Sequence, residues 1–78
     1  MERPGSVKRA VLLTARERQV LELIWAGFKN KEIGRQLKIS IKTVEVHRSS
    51  MMKKMRVHNA AELLRTALAN AMIGVRVA

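Results

Sequence analysis

The segment 30–48 places the strongest constraint on the fold, because it indicates two short helices joined by a tight turn. It runs NKEIGRQLKISIKTVEVHR. Ile33, Leu37 and Val44 fall at the spacings of side chains that pack one helix across another. Gly34 supplies the small residue that a close crossing needs. This is the layout of a helix-turn-helix, a motif whose second helix enters the major groove of DNA.

The charge of the chain indicates a polyanionic partner. Its 78 residues carry 16 Lys and Arg against 6 Asp and Glu, a net charge of +10. Nucleic acid is the first partner to expect, with an anionic membrane surface as the alternative. Trp25 and Phe28 are the only aromatic residues, too few for the base stacking by which single strands and RNA are bound. Duplex DNA is therefore favoured over RNA.

The absence of cysteine excludes disulfides, thiolate metal sites and a cysteine nucleophile. His47 and His58 lack further ligands at metal spacing, so we expect no metal site and no cofactor. Because no carboxylate pair, nucleophile with a base or glycine-rich phosphate loop is evident, we also expect no enzymatic activity. Apolar runs are too short to cross a bilayer or to form a signal peptide, and we expect a soluble, cytoplasmic protein.

Apolar spacing predicts one all-α domain, a four-helix bundle with a central helix-turn-helix. The predicted helices are at about 15–26, 30–37, 41–55 and 60–71. Composition predicts a flexible arm or linker at 1–11, the domain at 12–73 and a C-terminal tail at 74–78.

Capping residues support these bounds. Thr14 and Glu17 form a capping box for the first helix, and Gly27 ends it. Lys38 occupies a turn position that favours a left-handed glycine, where lysine costs on the order of 1 kcal/mol. Side chains that can cap the other three helices are Asn30, Ser40 and Asn59.

The second helix of the motif has two distinct faces at a period of 3.6 residues. Val44, Met51 and Met55 form an inward stripe. The outward face mixes long cations with short side chains, and an outward valine at its middle suits contact with a thymine methyl group. An ordinary solvated face is the alternative. The predicted base-reading residues are Lys42, Glu45, Val46 and Ser49.

Donors that flank this face are candidates for contacts to phosphate, since DNA-binding proteins hold the backbone on both sides of the reading helix. A solvated side chain is the alternative for each of them. The predicted phosphate-binding residues are Lys31, Thr43, His47, Arg48, Lys53 and Lys54.

The last helix carries two apolar stripes. A single domain of this size needs only one of them for its core. Ala60, Leu63 and Ala67 form the stripe predicted to face the core. The second stripe, predicted to pair two protomers on DNA, is Leu64, Leu68 and Ala71. Alternatively, the leucines cover the open edge of the bundle against the tail at 75–77.

A pattern of residues spread over about 12–68 carries a family resemblance. Its members are Leu13, Thr14, Arg16, Glu17, Gly27, Asn30 to Ile33, Ile39, Ser40, Thr43, Val44, His47, Lys54 and Met55. The pattern resembles the LuxR-type DNA-binding domain, also called GerE or NarL/FixJ, of bacterial transcription regulators. The run Thr-Val-Glu-Val-His-Arg is most similar to the FixJ branch of response regulators.

This resemblance implies a four-helix bundle that binds duplex DNA specifically and pairs through its fourth helix. By position it assigns base contacts to Glu45, Val46 and Ser49, and phosphate contacts to the flanking donors other than Lys53. Two positions depart from the family: Gly34 replaces a usual alanine, and Ala60 replaces a frequent arginine. The resemblance also leaves RNA polymerase open as a partner.

The leading interpretation is that the chain is the effector domain of a response regulator, and three alternatives to it remain. The first is a stand-alone family member without a receiver domain. A cationic membrane-surface or calmodulin-target-like protein is disfavoured, because three capped helices with inward stripes indicate a globular bundle. A protein-interaction module has no obvious use for the charge of +10.

Overall fold

Four helices make up residues 12–73, the part of the chain that the computed structural model describes. They are α1 (Ala15–Trp25), α2 (Asn30–Leu37), α3 (Ile41–Met55) and α4 (Ala60–Ala69). No strand occurs within this range, and the all-α prediction is confirmed. The bounds of α2 and α3 are as predicted, while α1 and α4 end earlier than expected. The predicted arm at 1–11 and tail at 74–78 lie outside the described residues.

Three helices begin at the predicted cap residues. Thr14 Oγ1 accepts the backbone N–H of Glu17 at 3.0 Å, and Glu17 Oε1 accepts that of Thr14 at 2.9 Å. Ser40 Oγ accepts the N–H of Thr43 at 3.0 Å at the start of α3. Asn59 Oδ1 accepts the N–H three residues ahead at 2.8 Å at the start of α4. Each bond satisfies a donor that the first turn leaves unpaired.

The start of α2 differs from the prediction, which made Asn30 its cap. Lys29 precedes the helix in extended conformation, and Asn30 is the first helical residue. Glu32 Oε1 accepts the Lys29 N–H at 2.8 Å, but a lysine ammonium accepts no hydrogen bond in return. Only half of a capping box therefore forms, and the Asn30 carboxamide is left to bond elsewhere.

Every helix is followed by a residue with positive φ. These residues are Gly27 (φ 97°), Lys38 (59°), Arg56 (57°) and Ala71 (58°). Lys38, whose conformation the sequence left open, adopts the left-handed conformation that this turn position favours. At the three positions that are not glycine, the Cβ atom costs on the order of 1 kcal/mol each. Tertiary packing across the bends must offset this cost.

The core is built around α3, which packs against α1, α2 and α4. Its inward residues Val44, Met51 and Met55 are buried as predicted. Trp25 lies at the end of α1 and is 39% exposed. Ile73, which the sequence did not single out, is buried beyond the end of α4. The other buried apolar residues are Val20, Leu21, Ile24, Ile33, Leu63 and Ala67.

Gly34 allows α2 to approach the turn of the motif closely. The backbone N–H of Ile39 donates to the Gly34 carbonyl at 2.9 Å. A Cβ atom on Gly34 would lie 2.7 Å from the carbonyl oxygen of Ile39. The departure from the usual alanine therefore has a structural consequence, because a methyl group would press against backbone.

We predict that Gly34→Ala destabilises the domain by about 1 kcal/mol. Alanine improves helix propensity by up to about 1 kcal/mol, but separating α2 from the turn costs about 1–3 kcal/mol. Urea unfolding followed by far-UV circular dichroism measures the difference. Gln36→Ala, at an exposed position of α2, is the control and should leave stability unchanged or slightly raised. A Gly34→Ala domain at least as stable as the wild type would contradict the prediction.

Candidate nucleic-acid interface

The outward face of α3 presents the predicted base-reading side chains to solvent. Lys42, Glu45, Val46 and Ser49 are all exposed. Val46 is 57% exposed although it is apolar. The predicted division of α3 into an inward and an outward face is confirmed. The outward face joins an acceptor, a methyl-bearing side chain, a hydroxyl and a cation, which together match the chemistry of base edges in the major groove.

The predicted phosphate-binding residues lie along both edges of this face and on α2, except Lys53, which lies on the outward face itself. Thr43, His47 and Lys54 follow one edge of α3 at helical spacing, and Arg48 lies on the other. Thr43, His47 and Arg48 are partly buried, whereas Lys31, Lys53 and Lys54 are exposed.

Positive charge is concentrated around the motif. The segment 29–56 contains only two acidic residues, Glu32 and Glu45. Its cations are Lys29, Lys31, Arg35, Lys38, Lys42, Arg48, Lys53, Lys54 and Arg56. A field of this sign attracts a polyanion and orients it towards α3.

Arg48 is held by the side chain that was expected to cap α2. Its Nη1 donates to Asn30 Oδ1 at 2.8 Å, across 18 residues of sequence. Within residues 12–73 Arg48 forms no ion pair, so its charge is not neutralised there. The guanidinium is therefore held by one of its N–H groups and retains others for another acceptor.

A groove opens beside this hydrogen bond. Its volume is about 590 Å³, and it runs along one edge of α3 to the link with α4. The groove contains three cationic side chains and one carboxylate, together with amide, hydroxyl and imidazole groups. Its lining is Asn30, Glu45, Arg48, Ser49, Met52, Lys53, Arg56, Val57 and His58.

Lys54 has a structural contact that the sequence did not predict. Its Nζ lies 2.8 Å from Glu17 Oε1 and donates to the carbonyl of Leu12 at 3.3 Å. The Glu17 side chain is 4% exposed. Burial raises the pKa of this carboxyl, but hydrogen bonds from Lys54, Thr14 and Ser50, with the Lys54 charge, outweigh it and lower the pKa. This network connects the start of α1 to the second half of α3.

The two predicted stripes of α4 are only partly reproduced. Leu63 and Ala67 are buried in the core, Leu64 is partly buried against it, and Leu68 is 41% exposed. Ala71 is not on a helical stripe, because α4 ends at Ala69 and Ala71 adopts a left-handed conformation. The prediction that Ala71 extends the stripe is wrong, and the exposed apolar surface of α4 is centred on Leu68.

The sequence contained an indication that Glu17 is buried, but the capping box had already accounted for this residue. Glu17 precedes Val20 and Leu21 by three and four residues, so it lies on the apolar stripe of α1. A carboxylate on an inward stripe needs a cationic or hydrogen-bonding partner. Nothing in the sequence indicated that Lys54, 37 residues away, supplies it.

Within the described residues no helix has the length and apolar character needed to cross a membrane. Among residues 12–73 no three His, Asp or Glu side chains are grouped so as to hold a metal ion.

The helix order, the turn at Lys38 and the outward face of α3 define a helix-turn-helix domain. The family model described as "Bacterial regulatory proteins, luxR family" (GerE) matches residues 11–67. The chain belongs to this family.

Its relatives include response regulators. The "Uncharacterized response regulatory protein YgeK" of Escherichia coli (strain K12) is 54% identical over 56 residues, which are 72% of this chain and 38% of that protein. The "Transcriptional regulatory protein FixJ" of Bradyrhizobium diazoefficiens is 43% identical over 65 residues, 83% of this chain and 32% of that protein. Full-length FixJ from B. japonicum has a similar structure, with a TM-score of 0.72 and 36% identity over 91% of this chain and 39% of that one. The chain thus spans 32% to 39% of the length of these relatives.

We predict that Glu17→Gln lowers the free energy of unfolding by about 1–2 kcal/mol near pH 7. Hydrogen bonds to a charged group contribute about 1.5–3 kcal/mol, and the 36% exposure of the Lys54 side chain reduces this. Because folding lowers the Glu17 pKa, its contribution is present above its ordinary value of 4.5 and is lost as the pH falls through the folded-state pKa. Urea unfolding at a series of pH values should show the difference between wild type and variant shrinking below that value. Glu22→Gln, at an exposed position of α1, is the control; a difference that stays constant down to pH about 2 would contradict the assignment.

Proposed function

We propose that this chain binds duplex DNA in a sequence-specific manner, as the effector domain of a bacterial transcription regulator in the cytoplasm. The observation that carries the proposal is the outward face of α3, where Val46 and Glu45 are exposed among cations on the second helix of a helix-turn-helix. Family membership and relatives that are named as response regulators support the same function.

In this proposal the outward face of α3 lies in the major groove. Glu45 accepts a hydrogen bond from a cytosine amino group, and Val46 contacts a thymine methyl group. Ser49 and Lys42 donate to further base edges. Because some of these side chains form hydrogen bonds and Val46 contacts a methyl group, each of them prefers a different base.

Donors around this face hold the phosphate backbone. The side chains of Lys31 and Lys53 make no hydrogen bond or ion pair within residues 12–73, so they are available to phosphates without breaking a contact there. Thr43 and His47 line one edge of α3 and Arg48 the other. Lys54 retains an N–H beyond those that bond to Glu17 and Leu12, and it can contact a phosphate while the ion pair stays intact.

The parent protein is proposed to be a response regulator. Several relatives carry that description, and they are longer than this chain. A stand-alone regulator without a receiver domain is the alternative. RNA polymerase is a further partner that a transcription regulator of this kind can contact.

Two protomers are proposed to associate on DNA through α4. Leu68 is exposed and continues the partly buried surface of Leu64. A contact between two such short helices is below the area of a stable dimer interface, so association depends on two adjacent half-sites.

We predict that alanine substitution of Glu45, Val46 or Ser49 changes the preferred base at separate positions of the binding site. Each substitution should reduce discrimination by about 1–3 kcal/mol. Selection of bound duplexes from a random pool, followed by affinity measurements on the recovered site, gives the motif for each variant. Lys31→Ala is the contrast, because it should leave the motif intact and lower the slope of log affinity against log salt by about 1. Identical motifs for all three α3 variants would overturn the assignment of α3 as the reading helix.

We predict that Leu68→Glu abolishes cooperative binding to a duplex with two half-sites. A charge at this surface opposes apolar contact, while the fold and the affinity for one half-site should be nearly unchanged. Binding curves on duplexes with one and two half-sites measure both quantities. Ala69→Glu adds the same charge to an exposed position about 100° around α4 and should leave cooperativity intact. Loss of helicity in Leu68→Glu would show instead that Leu68 is needed for the fold.

A further inference from the structure

Asn30 has no capping role, yet its side chain is committed to a distant partner. Its Oδ1 accepts the Arg48 guanidinium at 2.8 Å. Among the described residues this is the only hydrogen bond between side chains of α2 and α3. The first residue of α2 is therefore bonded directly to an arginine of α3.

The guanidinium position lies at the groove on the edge of α3. Asn30 and Arg48 both line this groove, with Ser49, Lys53 and His58. The remaining N–H groups of Arg48 suit a planar pair of oxygen atoms, as in a phosphate. A free arginine side chain loses rotamer entropy when it is fixed in one position. A guanidinium already held by Asn30 has lost part of that freedom before any ligand binds.

We propose that Asn30 is a positioning residue that holds Arg48 for a backbone phosphate of DNA at the edge of the major groove. This rests on the proposed function. The neutral carboxamide is the essential feature, because it accepts one N–H of the guanidinium and leaves the positive charge uncompensated. A carboxylate at the same position would hold the guanidinium equally well, but it would neutralise the charge that attracts phosphate.

A double-mutant cycle on the recovered half-site tests the coupling. Asn30→Ala should weaken binding about three- to tenfold for specific and random duplexes alike, with the preferred bases unchanged. Arg48→Ala should weaken binding further and lower the salt slope by about 1. The double variant should bind no more weakly than Arg48→Ala alone. Asn70→Ala, whose side chain bonds within its own turn at the end of α4, is the matched control and should bind normally.

Asn30→Asp separates positioning from a purely structural role. It keeps the acceptor, so thermal unfolding should occur at or above the wild-type temperature, since an acidic residue also suits the first turn of a helix. DNA binding should nevertheless fall towards that of Arg48→Ala, with the salt slope lowered by about 1. Wild-type affinity for Asn30→Asp, or additive losses in the cycle, would overturn the proposal.

The two proposals can fail separately. If the wild-type chain recovers no duplex from the random pool, the proposed function itself is wrong. If the wild type selects a motif and Lys31→Ala lowers the salt slope, but the Asn30 and Arg48 losses add, only the positioning role is wrong.

Discussion

The buried carboxylate of Glu17 is the interaction on which the placement of α3 depends. A carboxylate removed from water is costly unless charges and donors surround it. Here the donors come from the start of α1 and from Ser50 and Lys54 on α3. The carboxylate can be satisfied only when α3 lies across the beginning of α1 at one register. Glu17 also caps α1, so the same side-chain position serves both the start of the helix and the packing of α3 against it.

The first half of α3 is fixed by different means. Gly34 brings α2 against the turn, and the Asn30 carboxamide holds Arg48. Packing of Val44 in the core completes this end. Because both halves of α3 are packed in place, the helical period determines in which direction its outward face points. In its proposed role as the reading helix, a rigid α3 loses little freedom on binding, and this favours specificity over adaptability.

Local features of the sequence predicted most of the fold. Thr14, Ser40 and Asn59 act within one turn of their own positions, and helix faces follow from a period of 3.6 residues, so both can be inferred without tertiary structure. The Asn30 and Lys54 contacts could not, because each joins residues far apart in sequence and competes with a plausible local or solvent-exposed role. The end of α4 was misplaced because nothing in the sequence marks Ala71 as left-handed. Packing of Ile73 accompanies that bend.

In the proposed complex with DNA, Glu45 affects affinity and specificity in opposite directions. A carboxylate on the face proposed to contact DNA repels phosphate and lowers affinity for every duplex. It is the only acidic residue of α3, so its repulsion is small against the surrounding cations. In the proposed complex a hydrogen bond from a cytosine amino group offsets the repulsion, whereas guanine and thymine present no donor in the major groove and leave the negative charge uncompensated. Specificity is the difference between the affinities for the preferred duplex and for other duplexes. One acidic residue among many basic ones increases this difference, while the surrounding positive charge maintains the attraction to DNA.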